Sequence, residues 1–263
     1  MSTRVGPSTT LLIKMTPGSR SEAAALAAGG GRVVVIRDGA HQDQISLGGR
    51  CLDLRTSADG AKLGASLGLD EGRGRALGAL LERASPGSRD ELGQLARLLA
   101  RAETGKVRLE RLVLSGHFDP AGVRGELDGA ARNGSLEFVH LRRLLELFPG
   151  AAGQVRHLML ATCFRGGTPN PAALEVGQGV LQSYRELFPG LRTVTGYLGR
   201  AHRSGQGAEA DLRRWARATR QPGAPLRREQ VFGRCPVAPS LSGAVRRRAD
   251  AVVHGSEGEQ RCR

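Results

Sequence analysis

The chain has 263 residues, 40% of them apolar, which is enough for one sizeable core and too much for a disordered polymer. No run approaches the roughly 18 apolar residues that a membrane helix needs, and MSTRVGPSTTLLIKMTPG lacks the continuous apolar stretch of a signal peptide, so a cytoplasmic globular protein is expected. The net charge of +14 favours acidic partners, nucleic acid or an anionic surface, but an aromatic fraction of 3% leaves few platforms for stacking bases, and the arginines read first as solvated surface.

Taken in order, TTLLIKM (9–15) and RVVVIRDG (32–39) are the first strand candidates, separated by the alanine-rich SEAAALAAGGG. The second is valine-rich and bounded by glycines. QDQISLGGRCLDLRT suits a pair of short strands. The glycines of EGRGRALG (71–78) invite comparison with nucleotide loops, yet they lack the full GxGxxG or a GK[ST] ending, and the stretch reads as a loop entering a helix. From Arg75 through Ala102 the leucine spacing is helical, interrupted at Ser85-Pro86-Gly87, and this helix is expected to cover one sheet face.

Two apolar runs then dominate. RLVLSGHFDPAG carries Leu112 to Leu114 and stops at His117; RHLMLATCFRGG carries Leu158 to Ala161 and stops at Cys163. Short apolar runs ending in small residues are the pattern of buried parallel strands. Between them, EFVHLRRLLELF puts Phe138, Leu141, Leu144, Leu145 and Phe148 on one helical face. A strand, a crossover helix and a second strand form a parallel unit, so both runs end on one edge of the sheet, and adjacency would set His117 beside Cys163. That edge is where open parallel sheets keep their working crevice. The pairing matters because a thiol is nucleophilic as thiolate, and a neighbouring imidazole can take its proton. A lone buried cysteine or histidine is more often packing than chemistry; the conjunction of two strand ends, their order and their separation speaks for a site.

Of the four cysteines, Cys51, Cys163, Cys235 and Cys262, none sits in CxxC spacing or beside histidine pairs, which argues against a disulfide framework or a zinc site. Cys51 is a candidate for the core. His140 and His157 read as structural.

After His117, DPAGVRGELDGAARNGS suits a loop or small hairpin over the site, and its acidic members Asp119, Glu126 and Asp128 could orient His117 or line a pocket, although solvated turn residues fit them better. Past Cys163, glycines and prolines precede a helix with Leu174, Val180, Leu181, Tyr184 and Leu187; then come the strand LRTVTGYLG (191–199) and a helix with Leu212, Trp215 and Ala216. Tyr197, at a strand end on the same side of the sheet, is a candidate substrate contact. From Gln221 onward, prolines, glycines and the Arg246–Arg248 run give a tail of little fixed structure. The domain organisation expected is therefore one α/β domain over 1–220 and a tail over 221–263.

His117 after an apolar run and Ser-Gly, with Cys163 in ATCFRGG 46 residues later, resembles the caspase-like cysteine peptidases, nearest in style to the bacterial metacaspase and CHAT branch. The resemblance is clearest over 107–200. It implies an α/β fold with a mostly parallel sheet and helices on both faces. It also implies peptide hydrolysis by a Cys163–His117 dyad, with the backbone N–H groups of Phe118 and Cys163 holding the oxyanion and no metal or organic cofactor. Arg165 echoes the arginine after the caspase cysteine, at a spacing shifted by one. Two departures accompany the likeness. Phe118 stands where the family has glycine after the histidine, and Ala161 stands where metacaspases carry the aspartate that helps accept arginine or lysine. By analogy with small bacterial relatives, the partner would be a specific protein substrate such as a gasdermin-like pore former. A catalytically inactive interaction module and a basic nucleic-acid-binding protein remain the alternatives.

Overall fold

A computed structural model of the chain describes residues 8–16, 19–37, 43–119, 121–125, 134–163, 182–197, 207–220 and 236–237. The chain opens with β1 (Ser8–Lys14), α1 (Ser19–Ala28) and β2 (Arg32–Arg37). A small hairpin of β3 (Gln44–Leu47) and β4 (Arg50–Asp53) follows, then α2 (Ser57–Ser66), α3 (Glu71–Arg83) and α4 (Arg89–Glu103). The central strand β5 (Arg108–Asp119) leads into β6 (Gly122–Arg124), β7 (Ser135–Glu137), α5 (Phe138–Glu146), α6 (Pro149–Ala152) and β8 (His157–Cys163). The described part of α7 covers 182–187, before β9 (Thr193–Tyr197), α8 (Ala208–Ala218) and β10 (Pro236–Val237).

The main sheet runs β10-β9-β8-β5-β1-β2. All neighbours from β9 to β2 are parallel; β10 is antiparallel to β9, β6 to β5, and β7 to β6. The fold is α/β, a mostly parallel sheet covered on both faces and compatible with a caspase-like arrangement.

Strand alternation sorts the core into two layers. Leu11, Ile13, Leu112, Leu114, Leu158, Leu160 and Val194 face a large cluster supplied by α2 through α7. Leu12, Val113 and Met159 face the opposite way, against Ala25 and Leu26 of α1 and Leu212, Trp215 and Ala216 of α8. A fully buried leucine contributes roughly 1.5–3 kcal/mol, so each face is held by several such side chains.

The chain leaves β1 toward β2 through α1 and returns to the other side of β1 as β5. The helices therefore change face between β1 and β5, which makes the carboxyl ends of these two strands the topological switch point of the sheet.

The glycine-rich stretch 71–78 is helical throughout rather than a loop entering a helix. Asp70 caps α3, its side chain accepting from the Arg73 N–H. The glycines inside α3 serve packing: a Cβ on Gly78 would lie 2.2 Å from the Ser57 carbonyl oxygen, so the glycine lets α2 and α3 close on one another. Cys51, considered for the core, is exposed on β4, while its neighbour Leu52 points inward. The stretch after His117 forms the β6 and β7 strands of a hairpin, with 126–133 outside the described residues; of the tail, the described residues are Pro236 and Val237, paired with Tyr197 and Gly196. No helix among the described residues is long and apolar enough to cross a membrane.

Candidate active site

The two apolar runs are neighbours. β5 and β8 pair in parallel through seven rungs, from Arg111 opposite His157 to His117 opposite Cys163. His117 and Cys163 thus share the last rung at the carboxyl edge, on strands about 4.8 Å apart. Sequence order and crossover topology bring this about: the helix between the strands returns the chain to the same edge.

On its other flank β5 changes neighbour. Its pairing with β1 ends at Lys14 opposite Ser115, and pairing with β6 begins at His117 opposite Arg124. His117, half-buried, is flanked by Cys163 on one side and Arg124 on the other. Gly116 fills the changeover. A Cβ there would stand 2.7 Å from the Arg124 carbonyl oxygen and 2.7 Å from Val123 Cγ1, which is why the residue before His117 has no side chain.

The direction of the peptide groups bears on the oxyanion expectation. Met15 N–H donates to the Ser115 carbonyl at 2.8 Å, so the peptide groups of Ser115 face β1. Alternation turns those of Gly116 and Phe118 toward β8. The N–H groups of Phe118 and Cys163 therefore lie in the seam between β5 and β8, where a parallel ladder uses them, and holding an oxyanion requires that seam to part at its last rung.

Asp119 is engaged by its own hairpin. Its Oδ2 lies 2.9 Å from Arg124 Nη2, and its Oδ1 accepts from the Ala121 N–H at 2.8 Å, so both oxygens are engaged within the hairpin. Ala161 is opposite Ser115, two residues before Cys163, and packs partly into the α1/α8 layer. Tyr197 closes β9 opposite Pro236, one residue past the rung that joins Leu160 and Gly196. Glu126, Asp128, Arg165 and the glycine–proline stretch after the cysteine lie outside the described residues.

Sequence reasoning missed a charged cluster directly beneath the site. Lys14, at the end of β1, donates from Nζ to Glu22 Oε1 at 2.6 Å and to Ser115 Oγ at 3.0 Å, and all three residues are buried. The signal was a lysine closing an apolar run, in a chain that has three lysines. Among the described residues, the other histidines are His140 and His157. His140 is buried in α5 with Nδ1 3.7 Å from Glu137 Oε2. His157, at the start of β8, has Nδ1 2.9 Å from Thr193 Oγ1, and burial, reinforced by the Arg111 guanidinium, pushes it down to about 4.

Among the described residues, no group of three or more His, Cys, Asp or Glu side chains is placed to hold a metal ion. No family model, curated protein or solved structure matches this chain.

Proposed function

We propose that the chain is a caspase-like cysteine endopeptidase whose dyad is Cys163 and His117. The observation that carries this reading is the shared terminal rung of β5 and β8, next to the topological switch point. In the proposed reaction His117 takes the Cys163 thiol proton, and the sulfur attacks the peptide carbonyl. Collapse of the tetrahedral adduct breaks the C–N bond, and the imidazolium returns its proton to the departing amine. Water, deprotonated by His117, then hydrolyses the thioester and restores the thiol. The oxyanion is held by the Phe118 and Cys163 N–H groups once the last rung parts. No metal or organic cofactor takes part in this scheme.

The substrate class proposed is a specific protein met in the cytoplasm, where thiols stay reduced; by analogy, a gasdermin-like pore former fits it. Incubating a peptide library with wild type and with Cys163→Ala tests the reading. Cleavage by the wild type alone supports it, and equal cleavage by both ends it.

A second reading, a catalytically inactive interaction module, is favoured by the seam position of both N–H groups and by phenylalanine after the histidine. Labelling of Cys163 by an acyloxymethyl ketone, lost in His117→Ala, would exclude it.

A further inference from the structure

We propose that the buried Lys14–Glu22 ion pair, acting through Ser115, is the positioning device for His117. The inference rests on reading His117 as the dyad base. Its origin is the changeover on the flank of β5. Strand β1 supports β5 as far as the Lys14–Ser115 rung, and β6 takes over at the His117–Arg124 rung, with side-chain-free Gly116 between them. A strand that exchanges neighbours over one residue has its weakest lateral support there, one residue before the imidazole.

The cluster grips β5 at the last rung below that gap. Lys14 Nζ reaches Glu22 Oε1 at 2.6 Å and Ser115 Oγ at 3.0 Å, so β1, the first turn of α1 and β5 are joined by one ammonium group. Ser115 and His117 are two residues apart on one strand and so project to the same face, about 7 Å from each other.

Stability alone does not account for two ions here. Their side chains are 6% and 3% exposed, on the face that Leu12, Val113 and Met159 share with the buried Thr10 and Arg111, and an apolar pair of similar volume commonly serves a fold as well or better. Glu22 Oε2 is buried without a hydrogen-bond partner among the described residues, so the network is not fully satisfied. What the ions supply that methyl groups would not is direction. The lysine can meet Glu22 and Ser115 together in one arrangement, and that arrangement sets the height of β5 where it enters the site.

The test compares full-length wild type with Lys14→Met/Glu22→Leu and with Ser115→Ala, which removes one hydroxyl. The apolar double variant is expected to keep a wild-type or higher denaturation midpoint. Its kcat for the peptide cleaved by the wild type should fall roughly tenfold, with KM within about twofold, because a small misplacement of the base slows chemistry more than binding. Amide exchange should accelerate at Gly116 and His117 and stay unchanged at Leu112 to Leu114. Ser115→Ala should show the same pattern to a smaller degree, and Ser115→Thr, which keeps the hydroxyl, should recover kcat. A folded double variant with wild-type kcat and unchanged exchange at 116–117 overturns the proposal. If the double variant does not fold, unchanged kcat and exchange in Ser115→Ala overturn it equally. A wild type that cleaves nothing refutes the peptidase reading, while local exchange still decides the positioning role.

Discussion

Gly116 and Arg124 approach so closely that a methyl group on the glycine would sit 2.7 Å from the arginine carbonyl oxygen, with Met15 Cβ at 3.1 Å on the other side. Backbone cannot yield as the end of a long side chain can, so Gly116→Ala must move β6 away from β5 or tilt β5 itself. A cost of about 1–3 kcal/mol is expected, as for other overpacking changes. Urea denaturation measures it. Cleavage at temperatures where the variant is fully folded should also fall, because the displaced residue adjoins His117.

The dyad variants should separate chemistry from folding. Cys163→Ala is expected to abolish cleavage, and His117→Ala to lower kcat about 10²–10⁴-fold, the usual range for a proton-transfer group. Both should unfold near the wild-type midpoint. Cys51 is the internal control: it is exposed on β4, so an unselective alkylating reagent modifies it, whereas a mechanism-based reagent should label Cys163 and leave Cys51 untouched. Peptide mapping after labelling decides the matter, and label confined to Cys51 would count against the dyad.

Asp119 and Arg124 test whether the hairpin matters through charge. Their ion pair is 50% exposed on the arginine side and 21% on the aspartate side, a setting in which such pairs contribute about 0–1 kcal/mol. Asp119→Asn should therefore cost less than about 1 kcal/mol by denaturant titration and change cleavage only a few-fold. A loss as large as that of His117→Ala would mean that Asp119 acts on the imidazole after all.

The main strands and the parallel β5–β8 unit were legible because they follow from local pattern and chain connectivity, whereas the order of the whole sheet was not. Valine- and leucine-rich runs such as Val33 to Ile36 and Leu112 to Leu114 announce buried strands, and the crossover between β5 and β8 places His117 and Cys163 on one edge. Features that depend on meetings far apart in sequence were not legible. Gly74 and Gly78 looked like loop glycines because what demands them is α2, whose Gly64 and Gly60 face them across the helix pair. Lys14 and Glu22 share no sequence signature with Ser115, 101 residues from the lysine, yet the three make one network. Cys51 illustrates a narrower limit: in a four-residue strand, one step of alternation separates a core position such as Leu52 from an exposed one.

His157 makes stability depend on pH in a defined direction. Burial holds its imidazole at about 4, below the ordinary 6.5, while the unfolded chain titrates near the ordinary value. Below 6.5 the unfolded state gains a proton that the folded state refuses until about 4. Stability is therefore unaffected by this group above 6.5, falls as pH drops toward 4, and is level below that. The gap between 6.5 and about 4 corresponds to about 3 kcal/mol at most. Glutamine in its place keeps a polar group near Thr193 Oγ1 without a titrating ring, so His157→Gln should lose less stability than wild type between pH 7 and pH 4. Urea titrations of both proteins across that range measure the difference; parallel curves would show that the imidazole meets its proton as easily in the fold as outside it.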